Sequence, residues 1–343
     1  MRKKVFASIL ISVYNTEDYL KQCLDSVIRQ SDEDIEIIIV DDASTDGSLA
    51  IIAEYEKRDS RIKTFFHSEN RGMFVSRNTA ICNASGEYYI FVDSDDFIEP
   101  DYVETIRRLT EKNKIDIINF RTEVESDEMR RIEKFFFSRQ FRPLPGSLKG
   151  NKVFDAFLFK ERIPFNIWGK AFHHSLFSKA GRLNCSISQA EDFIRVCILF
   201  SHAESYYGSR RVMYHYNYGR GSLGKKEYSL PQYRQYCQDM NDGLNFLMDY
   251  FQKKMLADIY FRRLQQIRIC YMYITFQLLH SVKEGFQYEA LNDFTQVWGK
   301  ENVNDFIAQT RIINTFSPVY TFFKNSLWYF SIFKKRWYNR MKF

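Results

Sequence analysis

The 343-residue sequence has no stretch of about 18 uninterrupted apolar residues, so no helix of it is expected to cross a bilayer. Glycine (14) and proline (6) are few and apolar residues make up 45%, which excludes a low-complexity or disordered chain. The six cysteines (Cys23, Cys82, Cys185, Cys197, Cys237, Cys270) form no CxxC and no His/Cys cluster. A thiolate zinc site is thereby excluded, and most of them sit among apolar neighbours as buried thiols do. The start, Met1 to Phe6, lacks an apolar core ending in a small-residue cleavage site, so no signal peptide is expected. A reducing, cytoplasmic location follows as an expectation. No RRM, KH or helix-turn-helix pattern occurs, and no nucleic-acid partner is expected. Internal repeats are also absent.

Aromatic residues are plentiful at 17%, with 32 Phe and 22 Tyr. The formal charge of +6 is unevenly placed. From Phe306 onward there are seven basic residues and no Asp or Glu, which leaves −1 for everything before. Such asymmetry points to a polyanion or a membrane surface.

The first hundred residues alternate strand and helix text. Val5–Val13 is a β-rich run, and Thr16 is placed to cap a helix over Glu17–Gln30 with Leu20, Leu24, Val27 and Ile28 on one stripe. Ile35–Val40 is a short continuous apolar strand of the kind buried on both faces. A second helix is expected over Ser48–Lys57, a third strand over Ile62–Phe66, and after Asn70-Arg71-Gly72 a helix through Ala84 with Gly86 as its stop. Glu87–Val92 is a fourth strand. This alternation predicts βαβ units and a parallel sheet. Ligands of such sheets collect beyond the carboxyl ends of the strands, and three of the four end in polar groups: Tyr14-Asn15, Asp41-Asp42, and Asp93, Asp95, Asp96. The text from Glu123 to Asn151 is charged and Phe/Pro/Gly-rich and reads as an excursion. Beyond Lys225 it turns helical and aromatic. The expected organisation is an α/β domain over 1–225, its halves 1–105 and 106–225, then a helical region over 226–343.

Paired carboxylates such as Asp93 and Asp95 repel unless a cation or donors satisfy them, and Mg²⁺ or Mn²⁺ prefers carboxylate and diphosphate oxygen. Alone, D-x-D is a weak signal that reads as an acidic turn capping the next helix. Five motifs in order carry more. Val13-Tyr14-Asn15, Val40–Ser48, Asn70-Arg71-Gly72, Ser76-Arg77-Asn78 and Phe91–Asp96 resemble a family 2 glycosyltransferase with the inverting GT-A fold, of the bacterial surface-polysaccharide type. They cover about residues 5–105. Ser12 departs from the family's usual Pro.

The resemblance implies a UDP-sugar donor held by Ser12, Val13, Tyr14, Asn15, Glu17, Asp41, Asn70, Arg77, Asp93 and Ser94. In that scheme the Asp41 carboxylate accepts the base N–H, Arg77 lies by base and diphosphate, Asp93 binds ribose, and Asp95 coordinates Mn²⁺ or Mg²⁺. Downstream, Ile167-Trp168-Gly169-Lys170 and Gln189–Phe193 resemble the family's W-x-K element and acceptor-side E-D pair. Asp192 is then the general base, with Trp168, Lys170 and Glu191 on the acceptor or sugar side. The bland alternatives are a core tryptophan and an acidic helix N-terminus. Tyr214–Ser222 resembles the closing Y-x-Y-R segment, but Asn217 stands where Arg is usual. The diphosphate contact would pass to Arg220, beside Ser222. His215 is either a metal ligand or a structural histidine.

Ser317–Phe333 followed by Lys334–Arg340 mixes aromatic residues with cations and suits an anionic headgroup layer. Packing on the protein or between copies, as a homo-oligomer, is the other reading. The implied function is inverting transfer of a hexose or N-acetylhexosamine to a hydroxyl of a glycan or lipid-linked acceptor, in capsule, lipopolysaccharide, exopolysaccharide or teichoic acid synthesis. The implied place is the inner face of the cytoplasmic membrane. A nucleotide-sugar-binding protein without catalysis is the competing expectation.

Overall fold

The structure is a computed structural model and describes residues 5–127, 129–159, 163–183, 187, 190–219, 227–254, 257–283, 285–304 and 306. These group into two compact units, one drawn from Met1–Lys134 with Phe141–Gly224, the other from Phe135–Gln140 with Lys225–Phe343.

In the first unit, β1 (Ala7–Val13) and β2 (Ile35–Asp41) are buried at every position, as continuous apolar strands between helix layers must be. β3 (Ile62–Phe66) and β4 (Tyr88–Asp93) complete a parallel array in the order β3-β2-β1-β4. The connecting helices are α1 (Glu17–Ile28), α2 (Ser48–Arg58) and α3 (Met73–Asn83). α1 buries Leu20, Cys23, Leu24 and Val27, the i, i+3, i+4, i+7 stripe of an amphipathic helix.

After β4 come β5 (Phe97–Ile98), α4 (Tyr102–Thr110) and β6 (Ile117–Glu125). The stretch read as an excursion holds the end of β6, α5 (Arg131–Ser138) and β7 (Gly146–Lys149). α6 (Lys152–Leu158), β8 (Lys170–His173), α7 (Ser175–Ala180), α8 (Glu191–Ser201) and β9 (Ser205–Asn217) follow. The sheet continues β4-β8-β6-β9-β5, with β8 antiparallel to both neighbours and β7 beside β9. The β3-β2-β1-β4 half is thus parallel and the other half mixed.

The second unit contains α9 (Leu230–Lys253), α10 (Asp258–Gln277) and α11 (Gln287–Trp298). α9 opens with a reciprocal cap: Ser229 Oγ accepts from the Gln232 N–H and Gln232 Oε1 from the Ser229 N–H. Its buried residues Tyr233, Cys237, Met240, Leu244, Leu247 and Phe251 recur at spacings of four and three. No helix among the described residues is long and apolar enough to cross a membrane. The basic aromatic stretch after Ser317 lies outside the described residues.

Gly86 was expected to stop α3, but that helix ends at Asn83 and Ala84 is already extended. The reason for glycine is close packing. A Cβ there would lie 2.5 Å from the Ser8 nitrogen and 2.7 Å from the Ala7 carbonyl carbon, both backbone atoms of central strand β1. Gly86→Ala should therefore lower the unfolding free energy by about 1–3 kcal/mol, as overpacking does. Urea denaturation checks it, and an unchanged midpoint would refute the close-approach explanation.

Candidate active site

The polar strand ends meet because of register. Val13 lies opposite Asp41 between β1 and β2, and Ser12 opposite Asp93 between β1 and β4. The chain builds outward from β1 to β3 and then returns to β4 on β1's other side. This is the switch point where crevices form.

Two loops there interlock. Ser44 Oγ accepts from the Asn15 N–H (3.0 Å), Ser48 Oγ from the Thr16 N–H (3.1 Å) and Asp46 Oδ2 from the Glu17 N–H (3.0 Å). In return Asn15 Oδ1 accepts from the Thr45 N–H (2.7 Å), and Glu17 Oε2 from the Gly47 N–H. The first turn of α1 is therefore capped across space by the β2–α2 loop. Thr16, the expected cap, makes no side-chain capping bond, and its hydroxyl oxygen is buried without a partner. Asn15 (φ 52°) and Ala43 (φ 62°) adopt left-handed backbone, a conformation these cross-bonds hold in place. Glu17, expected on the donor, spends its carboxylate on the loop.

Asp41 is buried. Its Oδ2 accepts from the Ser44 N–H at 3.0 Å, while Oδ1 has no partner. An unpaired acceptor at a strand end is what a nucleobase N–H requires. Asp42 does different work: it accepts from the Arg71 N–H (3.0 Å) and Gly72 N–H (2.7 Å) and meets His67 Nδ1 at 2.6 Å. It thereby fixes the Asn70-Arg71-Gly72 turn. Tyr14 and Asn70 stand exposed, whereas Ser12, Val13 and Ser94 are buried.

In the acidic turn, Asp96 Oδ2 accepts from the Tyr214 hydroxyl (2.7 Å) and Oδ1 from the Asn217 N–H (2.8 Å). Burial, then the neighbouring Asp93 charge, pushes the Asp95 carboxyl up to about 6. A bound cation would reverse that shift. Asp93 and Asp95 offer hard oxygen donors, which fit a divalent cation that takes further ligands from a diphosphate. Among the described residues no group of three or more His, Cys, Asp or Glu is arranged to hold a metal by itself. His215 does not join them. Its Nδ1 meets Glu125 (3.0 Å), its Nε2 meets Glu99 (2.8 Å), and its ring stacks on Phe97, so neither nitrogen is left for a metal.

One guanidinium ties the end of β4 to the start of α8. Buried Arg77 pairs through Nη1 with Glu191 and Asp192 and through Nη2 with Asp93 at 2.8 Å. α3 turns it inward to these three carboxylates. Glu191 also receives Arg195 Nε (2.8 Å), and Arg195 reaches Asn78 Oδ1 and the Phe74 carbonyl. Asp192 Oδ2 accepts from the Ile167 N–H at 3.3 Å, and its side chain remains 25% exposed. Burial raises the Asp192 carboxyl to about 7; Arg77 opposes this and Glu191 adds to it. Burial acts the same way on Glu191, but Arg77 and Arg195 outweigh it and hold that carboxyl below its usual range.

Three acceptor-side expectations change. Trp168 is 6% exposed and lies against Tyr214, Tyr216 and Phe141 with ring centroids 5.0, 5.2 and 4.9 Å away, so it is core and offers a sugar no face. Lys170 is fully buried, donates to the Asn166 carbonyl, and is pushed down to about 7 by burial. Glu191 is buried between two arginines and holds neighbours rather than substrate. Arg220 and Ser222 lie outside the described residues.

Residues 8–177 match the family model for glycosyl transferase family 2. The chain carries a family 2 glycosyltransferase domain. Bacillus subtilis EpsH, a putative glycosyltransferase, is 37% identical over 178 residues, covering 52% of this chain and 49% of EpsH. The poly(ribitol-phosphate) beta-glucosyltransferase of Bacillus spizizenii is 43% identical over 113 residues, 32% of this chain and 18% of that protein. The chain thus spans half or less of these curated relatives. Among solved structures, S. aureus TarS 1-349 in complex with UDP-GlcNAc superposes with a TM-score of 0.61 at 18% identity, covering 87% of this chain and 82% of that 1-349 chain, a likeness of fold.

Within the glycosyltransferase domain, sequence reasoning missed the supporting roles of Asp42, Asp96 and Tyr214. The available signal was that two of these are the second acid of an acidic doublet. Arg77→Met should cost about 3–5 kcal/mol, the penalty for leaving buried carboxylates without their cation. The exposed Arg71→Met should change stability by less than about 0.5 kcal/mol. Equal unfolding midpoints for the two variants would remove Arg77 as the organising charge.

Proposed function

We propose that this chain transfers a hexose or N-acetylhexosamine, with inversion, from a UDP-sugar to a hydroxyl of a glycan or lipid-linked acceptor in surface-polysaccharide synthesis. The observation that carries this reading is the Arg77 junction, which sets the donor-side Asp93 and the acceptor-side Asp192 on one guanidinium. The UDP-GlcNAc named for TarS and the polyol-phosphate glucosylation named for the Bacillus spizizenii protein support the donor and acceptor classes.

Asp41 Oδ1 receives the uracil N–H, and Asp93 the ribose hydroxyl. A divalent cation held at Asp95, Mn²⁺ or Mg²⁺, offsets the charge on the diphosphate when bound. Asp192 is steadied on one oxygen by Arg77 and on the other by the Ile167 N–H, and its remaining lone pairs accept the acceptor's proton. The acceptor oxygen forms its bond to the anomeric carbon as the bond to the diphosphate breaks, and UDP leaves with that electron pair. Attack from the face opposite the leaving group inverts the centre, so no second nucleophile is needed. The cationic aromatic sequence after Ser317 would keep the enzyme at an anionic lipid surface, where lipid-linked acceptors lie.

UDP with Mn²⁺ should raise the melting temperature, as ligand linkage requires. Asp95→Ala should remove the metal-dependent part and leave the rest. No shift by UDP with or without metal would refute the donor assignment.

A base must be unprotonated to act, so transfer at saturating donor should climb as pH rises through about 7, the raised value of Asp192, and then level off. Asp192→Asn should retain donor binding while transfer falls by roughly two or more orders of magnitude. Unchanged turnover in this variant would take Asp192 out of the mechanism.

A further inference from the structure

The acidic turn is held from behind by β9. The Asp93 N–H donates to the Tyr214 hydroxyl oxygen at 3.2 Å, and that hydroxyl donates to Asp96 Oδ2 at 2.7 Å. From the same strand, the Asn217 N–H donates to Asp96 Oδ1 at 2.8 Å and Asn217 Nδ2 to the Asp95 carbonyl at 2.6 Å. Both ends of the four-residue turn, and the peptide of Asp95 itself, are therefore fixed to one strand. Tyr214 is in turn set by Trp168, whose ring stacks on it at 5.0 Å.

All three holding groups are buried: Tyr214 is 0% exposed, Asp96 1% and Asn217 3%. The Asn217 amide points into the turn, and at the place where the resembling family carries Arg this chain spends its side chain on Asp95's backbone. Asp96, with an oxygen given to each of two donors, is occupied as a support.

We propose that Tyr214, Asn217 and Asp96 are positioning residues that aim the Asp95 carboxylate at the cation-bound diphosphate. This rests on the donor reading above. A carboxylate on an untethered turn would have to be ordered by the incoming cation, at a cost in affinity; the frame removes that cost beforehand.

The test measures Mn²⁺ binding to the full-length protein with saturating UDP, by the loss of the free-Mn²⁺ paramagnetic resonance signal, alongside UDP binding without metal. Tyr214→Phe removes the hydroxyl that links Asp93 to Asp96. It should weaken Mn²⁺ about 10–100-fold, the usual cost of losing an outer-shell partner, with metal-free UDP affinity falling far less. Asn217→Ala removes only the contact to the Asp95 carbonyl, guards against misfolding of the first variant, and should give a smaller loss of the same kind. Wild-type Mn²⁺ affinity in both variants overturns the proposal, and so does an equal loss of metal-free UDP binding, which signals general disruption. If the wild type binds UDP but no Mn²⁺, the cation reading itself fails and the proposal with it. These outcomes separate the two claims.

Discussion

The arrangement depends on a guanidinium taken out of water. Arg77 is worth burying only because three carboxylates from distant parts of the chain surround it, and they in turn tolerate proximity only because it lies between them. Asp93 ends β4, whereas Glu191 and Asp192 begin α8, so the pairing draws the parallel and mixed halves of the sheet together at one point. Arg195 supplies a second positive charge against the same cluster, leaving two cations for three acids. Burial raises the Asp192 carboxyl and Glu191 adds to it, whereas at Glu191 the two arginines outweigh burial and hold the carboxyl down.

Strain and support are arranged on the same plan. Left-handed backbone at Asn15, Ala43 and Ala190 turns the chain sharply beside residues of the candidate site. At the first two positions the cross-loop bonds between Asn15–Glu17 and Ser44–Ser48 offset the cost. At the third, α8 begins immediately, and Glu191 is locked between two arginines. The turns of the candidate site are thus held in place before any ligand arrives, which reduces the ordering that binding must impose.

Much of the architecture was legible. Continuous apolar strands and amphipathic helices in β1 to β4 are local signals, and the boundaries read from them fall within a few residues of the observed ones. Partners were less legible, because a hydrogen bond between residues 30 or 115 positions apart leaves no periodicity. Thr16 is a good capping residue by type, yet Ser44, Ser48 and Asp46 reach its turn first. Trp168, His215 and Arg77 are residues whose chemistry suits a ligand, and each is satisfied by the protein instead: by tyrosines, by glutamates and by carboxylates. A sequence shows that such a group is present; only the fold shows whether it is already occupied.

One regularity of the site does have a sequence trace. Carboxylates of the candidate site come as adjacent acids: Asp41-Asp42, Asp95-Asp96 and Glu191-Asp192. In each doublet one member is consumed by the scaffold, Asp42 by the Arg71 and Gly72 N–H groups, Asp96 by Tyr214 and Asn217, Glu191 by Arg77 and Arg195. The other keeps an unfilled valence: an unpaired oxygen on Asp41, partial exposure on Asp95 and Asp192. Successive side chains point in different directions, so one can anchor the backbone while its neighbour is presented to the crevice. A lone acid at a loop has to do both, and a carboxylate that anchors has fewer lone pairs left to accept a proton or hold a cation. Dividing the two tasks between neighbours gives a rigid mount and a free carboxylate from the shortest possible segment, which is why the doublets, more than the single D-x-D, mark the candidate site.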